Sequence, residues 1–189
     1  MFILYALALG LAVGFLIGGR PDGLAGLHFR WPWLFVGGLL VQVVLFSGPV
    51  SERIGDVGPW IYVGSTATVF LAILANRAVQ GMPIVAVGAA SNVVAIVANG
   101  GYMPASPGAM AALGQVDPTV YSNSSIIANP SLAPLTDIFA LPAWLPYANV
   151  FSLGDVVIGL GVVAVIVRAM RPARPGSVAA LRAKDAEPS

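Results

Sequence analysis

The sequence predicts an all-α membrane protein, a bundle of five transmembrane helices with an apolar outer loop and short-helix cap between helices 4 and 5. Three observations lead there. Of 189 residues, 58% are hydrophobic and only 9% charged, whereas soluble domains carry about a quarter charged residues. Five apolar stretches, residues 2–18, 33–50, 59–75, 83–98 and 153–170, approach or reach the roughly 20 residues that cross a bilayer as a helix. The basic residues are also sorted by side. Five crossings put the 19–32 loop, the 76–82 loop and the C-terminal tail together, with Arg20, Arg30, Arg77, Arg168, Arg171, Arg174, Arg182 and Lys184, and leave only Arg53 opposite. Cytoplasmic segments collect Lys and Arg, so the N-terminus is expected outside and the C-terminus in the cytoplasm of a multi-pass cell-membrane protein.

The first stretch has no basic residue before it and no small-x-small cleavage site after it, so it reads as a retained helix rather than a signal peptide. Gly10, Gly14 and Gly18 recur every four residues, a spacing that lets another helix approach closely. Packing within the chain is the default, and dimerisation the alternative. The second stretch holds Gln42 and the fourth Ser91 and Asn92. A buried amide needs a partner, because unsatisfied donors in lipid cost several kcal/mol, so Gln42 and Asn92 are expected to join helices. A transport path is the sharper alternative, since Gly88, Asn92, Ala95 and Asn99 share one helical face. No span has an ionisable residue near its midpoint, as ion- or proton-coupled transport usually requires. Trp31 and Trp33 are expected at the inner interface, and Trp60, Tyr62, Trp144 and Tyr147 near the outer one.

The fourth stretch ends in "ANGGYMPAS". Asn99, Gly100 and Gly101 fit a helix terminus closed by a left-handed residue, and Pro104 forbids continuation. A second glycine implies close backbone approach, to a ligand or to another segment. Residues 99–151 contain no Lys or Arg and two acids, Asp117 and Asp137. Loops without structure rarely run so long, so the segment is expected to fold back over the outer face. Ser106 and Pro107 fit an N-cap and first helical position, for a helix reaching Ala112. The fifth stretch opens "FSLGD", where Ser152 and Asp155 fit a capping box. Asn99, Gly100, Gly101, Tyr102, Asp137, Ser152 and Asp155 are therefore the candidate ligand-binding residues of an outer pocket. The tail, 171–189, is expected to be a disordered cytoplasmic segment beyond a 1–170 membrane domain.

Composition excludes several function classes. A net charge of +1 offers no basic face for nucleic acid. With no cysteine and His28 alone, no metal site and no cofactor are expected. No P-loop, dinucleotide fingerprint or zinc-helix motif is present, and no catalytic residue is assigned. The leading reading is a non-enzymatic membrane protein that binds lipid or a partner protein through its outer face. The partners expected are membrane lipid and a partner membrane protein or second copy. A small transporter or permeation subunit is the first alternative. An enzyme acting on a lipid head group, with Asp137 and Asp155 as an acid–base pair, is the second.

"GGRPDGLAGLHFRWPWL", "NGGYMPAS" and "VFSLGDVVIGLG", in that order between apolar spans, resemble a bacterial membrane family, the domain of unknown function number 5317. The resemblance runs from residue 2 to about 170. It implies a five-span protein carrying Asn99, Gly100, Gly101, Met103 and Pro104, then Ser152, Gly154 and Asp155. A Gly-Asp pair of the family is replaced here by Thr136–Asp137, which keeps the acid. The resemblance implies no reaction.

Overall fold

The computed structural model describes residues 1–114, 124–127 and 129–171. Five apolar helices dominate it: α1 (Phe2–Leu16), α3 (Pro32–Leu45), α5 (Gly58–Ala75), α6 (Met82–Ala98) and α8 (Leu153–Met170). Three short helices connect them, α2 (Asp22–Ala25), α4 (Gly48–Ser51) and α7 (Pro107–Ala112). Two helical segments have both the length and the apolarity to cross a membrane, Gly55–Ala75 and Leu153–Met170. The other three apolar helices are 15, 14 and 17 residues long, so a five-span bundle is not established.

The physical reasons are local. α1 stops at Leu16 because Gly18 turns left-handed (φ +77°), while Gly18 and Gly19 donate to the Phe15 and Gly14 carbonyls, 2.9 Å each. That is the doubly bonded helix terminus that glycine favours. Gly18 thus belongs to a turn and an added Cβ there would meet nothing within 4 Å, which corrects its place on a packing face. α3 ends at Leu45 because Ser47 is extended and Pro49 opens the separate turn of α4.

The long helices pack in the order α1, α8, α6, α5, α3. Gly10 of α1 faces Ile166, and Gly14 faces Met170, so α1 runs parallel to α8. Gly88 of α6 lies against Ile158, and an added Cβ on Gly161 would reach the Val85 nitrogen at 2.6 Å, so α6 runs antiparallel to α8. Gly38 of α3 faces Ser65 and Val69 of α5. Gln42 donates to the Thr66 hydroxyl across the same pair (3.3 Å).

The described residues between α6 and α8 gather at the end where α6 stops and α1 and α8 begin. Strand β1 (Met103–Ala105) pairs in parallel with β2 (Ser124–Ile126), and β3 (Phe139–Ala140) pairs antiparallel with β4 (Val150–Phe151). α7 starts at Pro107, with the Ser106 hydroxyl accepting the Ala109 amide at 3.1 Å. The rings of Phe2, Phe151 and Phe139 stack in sequence, 4.5 and 5.4 Å between centroids. The Met1 amine donates to the Tyr147 carbonyl, and the Tyr5 hydroxyl to the Pro146 carbonyl at 2.7 Å. Leu45, Tyr62, Ala95, Ile96 and Met103 form a buried cluster beneath this cap. Tyr62 is therefore a core residue, not an interfacial aromatic, because Phe46 meets its ring edge-on at 5.1 Å. Trp60, Trp144 and Tyr147 are exposed, as are Trp31 and Trp33 at the opposite helix ends. Asp117 and the tail beyond Arg171 lie outside the described residues.

Candidate functional site

The polar centre of the molecule is where α6 ends against the start of α8. Ser152 is extended and fully buried, and its hydroxyl accepts the Asp155 amide at 3.0 Å. Asp155 answers by accepting the Ser152 amide at 3.0 Å. This reciprocal capping satisfies two backbone donors that a helix start leaves open. Asn92 of α6 completes the set: its amide nitrogen donates to Asp155 Oδ1 at 2.8 Å, and its oxygen accepts the Ser152 hydroxyl at 2.9 Å. A carboxylate only accepts, so the nitrogen of Asn92 faces Asp155, and the Ser152 hydroxyl stands within reach of two acceptors, Asn92 Oδ1 at 2.9 Å and Asp155 Oδ2 at 3.2 Å.

Backbone proximity makes that network possible. An added Cβ on Gly154 would strike Asn92 Oδ1 and come within 2.9 Å of the Gly88 carbonyl. One on Gly88 would reach the Ile158 nitrogen at 2.7 Å. Glycine here lets two helix backbones touch, as at small-residue membrane interfaces. The Gly88 and Asn92 positions therefore face α8, and Ala95 is buried. The polar face read from the sequence forms a helix–helix seam at those positions.

Asn99 works differently. It caps α6, donates to the Ala95 carbonyl at 2.7 Å, and pairs with both backbone groups of Ser131: it donates to the carbonyl at 2.9 Å and accepts the amide at 2.8 Å. Gly100 (φ +71°) and Gly101 (φ +87°) return bonds to the Val97 and Ile96 carbonyls. An added Cβ on Gly101 would meet the Pro59 carbonyl oxygen at 2.9 Å, so the second glycine is explained by another segment of the chain. Tyr102 is half-buried beside it. Asp137 is buried and its backbone lies along β1, accepting the Ser106 amide and donating to the Pro104 carbonyl, both at 2.9 Å. The structure thus joins Asn92, Ser152 and Asp155 directly. Asn99 instead contacts Ser131, and the Asp137 backbone lies along β1.

One residue escaped the sequence reading. Asn76 caps α5, donates to the Ala72 carbonyl at 2.7 Å, and grips both backbone groups of Arg30, at 2.7 and 2.9 Å. Its geometry repeats that of Asn99 at the opposite helix end. "LANR" and "VANG" each place Asn directly after the last helical Ala, which is the signal that links them. His28 bonds the nearby Gly26 carbonyl, at 2.9 Å, and is exposed. Among the described residues, no group of three His, Cys, Asp or Glu side chains gathers as a metal site, and no buried side-chain polar atom lacks a partner.

Residues 26–167 match a family of unknown function, DUF5317. The chain belongs to this family. The match takes in both asparagine caps and the whole Asn92–Ser152–Asp155 set. Comparison with curated proteins and with solved structures returned no match. DUF5317 membership gives these residues a family setting without a reaction.

Proposed function

We propose that this DUF5317 protein is a multi-pass membrane protein, non-enzymatic, whose cap binds a lipid or a partner protein on the outer face. The observation that carries the reading is apolar surface. α5 and α8 are strongly apolar, yet only 33% of each spanning window is buried inside the chain. On α3, Val36, Leu39, Leu40, Val43 and Val44 are all more than half exposed. Soluble monomers rarely expose apolar patches beyond a few hundred Å², so these helices need lipid around them. The exposed tryptophans at both helix ends support the same setting. Arg20, Arg30, Arg77, Arg168 and Arg171 share the end opposite the cap, which favours a cytoplasmic C-terminus and an outer cap. The shorter helices cross with their flanking turns; α1 alone spans about 22 Å, a mismatch that thinning of the bilayer absorbs. In this reading residues 1–170 are the membrane domain and the remaining residues its tail.

The polar set at α6 and α8 serves the scaffold that carries the cap, and the cap presents Trp144 and Tyr147 outward. Native mass spectrometry of the chain extracted gently from its membrane tests the proposal. A partner subunit or lipid retained by the wild type and lost from Trp144→Ala supports it. Recovery of the bare chain under conditions that preserve its fold contradicts it.

A further inference from the structure

We infer that the groove between α3 and α5 holds one acyl chain of an anionic phospholipid, with the phosphate at the arginine-bearing end. This rests on the membrane-spanning reading above, and places the head group at the end opposite the cap. The groove has a volume of about 290 Å³ and is lined by Trp33, Gly37, Val41, Ile61, Gly64 and Thr68 among others. From Trp33 to Val41 it runs about 12 Å along the helix.

Its floor is the contact of the two helices, where an added Cβ on Gly38 would lie 3.2 Å from the Ser65 carbonyl oxygen. Its depth comes from two absent side chains. Added Cβ atoms on Gly37 and Gly64 would meet no heavy atom within 4 Å. Nothing within the chain demands glycine at these helix-interior positions, where glycine is less favourable than alanine. A trough one side chain deep admits an extended hydrocarbon chain; small residues also admit a neighbouring helix, and the charge at the mouth favours the lipid. The two hydroxyls on its walls already donate to backbone carbonyls: Thr68 to Gly64 at 2.8 Å and Ser65 to Tyr62 at 2.9 Å. The surface offered to an occupant is therefore apolar.

Charge selects the head group. Asn76 ties the Arg30 backbone to the end of α5, so Arg30 and Arg77 stand at the Trp33 mouth, both exposed. The Arg30 guanidinium lies over the Trp31 ring, 5.5 Å from its centroid. Asp22 is the one acid at this end among the described residues. Two arginines beside an apolar trough match a phosphate attached to an acyl chain.

The test titrates the full-length chain in mild detergent with dioleoylphosphatidylglycerol or dioleoylphosphatidylcholine, read by native mass spectrometry. One phosphatidylglycerol is expected to be retained in preference to phosphatidylcholine. Arg30→Gln weakens that binding about fivefold, the effect of one basic charge at an anionic surface, and leaves phosphatidylcholine unchanged. Gly37→Leu with Gly64→Leu abolishes retention while helical circular dichroism stays the same, because both positions open into free space. A measurement without groove variants uses Trp33 as the remaining tryptophan: brominated phosphatidylglycerol quenches it more than brominated phosphatidylcholine. Equal retention of the two lipids, unaltered retention in the double variant, or a dimer lost in that variant in place of lipid overturns the inference. Recovery of the wild type in carbonate-washed membranes separates its failure from that of the spanning reading.

Discussion

Replacing Gly154 by alanine sets two opposing contributions against each other. Alanine gains at most about 1 kcal/mol of helix propensity over glycine. Its methyl, however, occupies the place of Asn92 Oδ1 and approaches the Gly88 carbonyl to 2.9 Å. Either α6 and α8 separate or Asn92 turns away from both Asp155 and Ser152. Losing those two side-chain bonds costs about 0.6–1.7 kcal/mol each in a membrane setting, and overpacking a close contact adds about 1–3 kcal/mol. After the propensity gain, the expected net destabilisation is roughly 1–5 kcal/mol. Gly37→Ala is the internal control, since its methyl enters open space, and it should stabilise by about 0.5–1 kcal/mol. The assay is reversible unfolding of the reconstituted chain, followed by tryptophan fluorescence. Opposite signs for one chemical substitution are the prediction. Indistinguishable effects at positions 154 and 37 would refute direct backbone contact between α6 and α8.

The other substitutions follow the same geometry. Asn92→Leu should cost about 1–3 kcal/mol, because Asp155 Oδ1 loses its amide donor and the Ser152 hydroxyl the nearer of its two acceptors. Unfolding midpoints measure this, and Ser152→Ala should add little to it if the three side chains act as one unit. Asn99→Ala should leave the helices intact but speed hydrogen exchange at the Ser131 amide, which Asn99 holds at 2.8 Å. Gly100→Asn should be nearly neutral, since asparagine tolerates the left-handed region and the position is open. Gly101→Asn should lower the folded yield sharply, because its Cβ would press on Pro59.

Local rules made parts of the cap and of the site legible in the sequence. Ser106–Pro107 opened α7, Ser152 and Asp155 formed the reciprocal cap, and Asn99–Gly100–Gly101 closed α6. Each depends on neighbours within a few residues. What sequence could not supply was tertiary: that Asn92, sixty residues before Ser152, would reach it across the Gly88–Gly154 contact. Helix limits were overrun at 2–18 and 33–50 because hydropathy does not register a left-handed Gly18 or an extended Ser47. Residue type suits Tyr62 to the interface, yet Met103 packs into the same cluster and Tyr62 is buried. The Ala-Asn ending marks Asn76 as a helix terminus, but its partner, Arg30, lies 46 residues away and is a tertiary fact.

The chain contains no cysteine, so single cysteines report sidedness without background. Gly108→Cys in α7 and Arg77→Cys between α5 and α6 both place the thiol at an exposed position. With an impermeant maleimide on intact cells, the account predicts labelling at position 108 and none at 77 until the membrane is opened. Labelling of both in intact cells, or of neither, would contradict a membrane crossing between the cap and the arginine-bearing end.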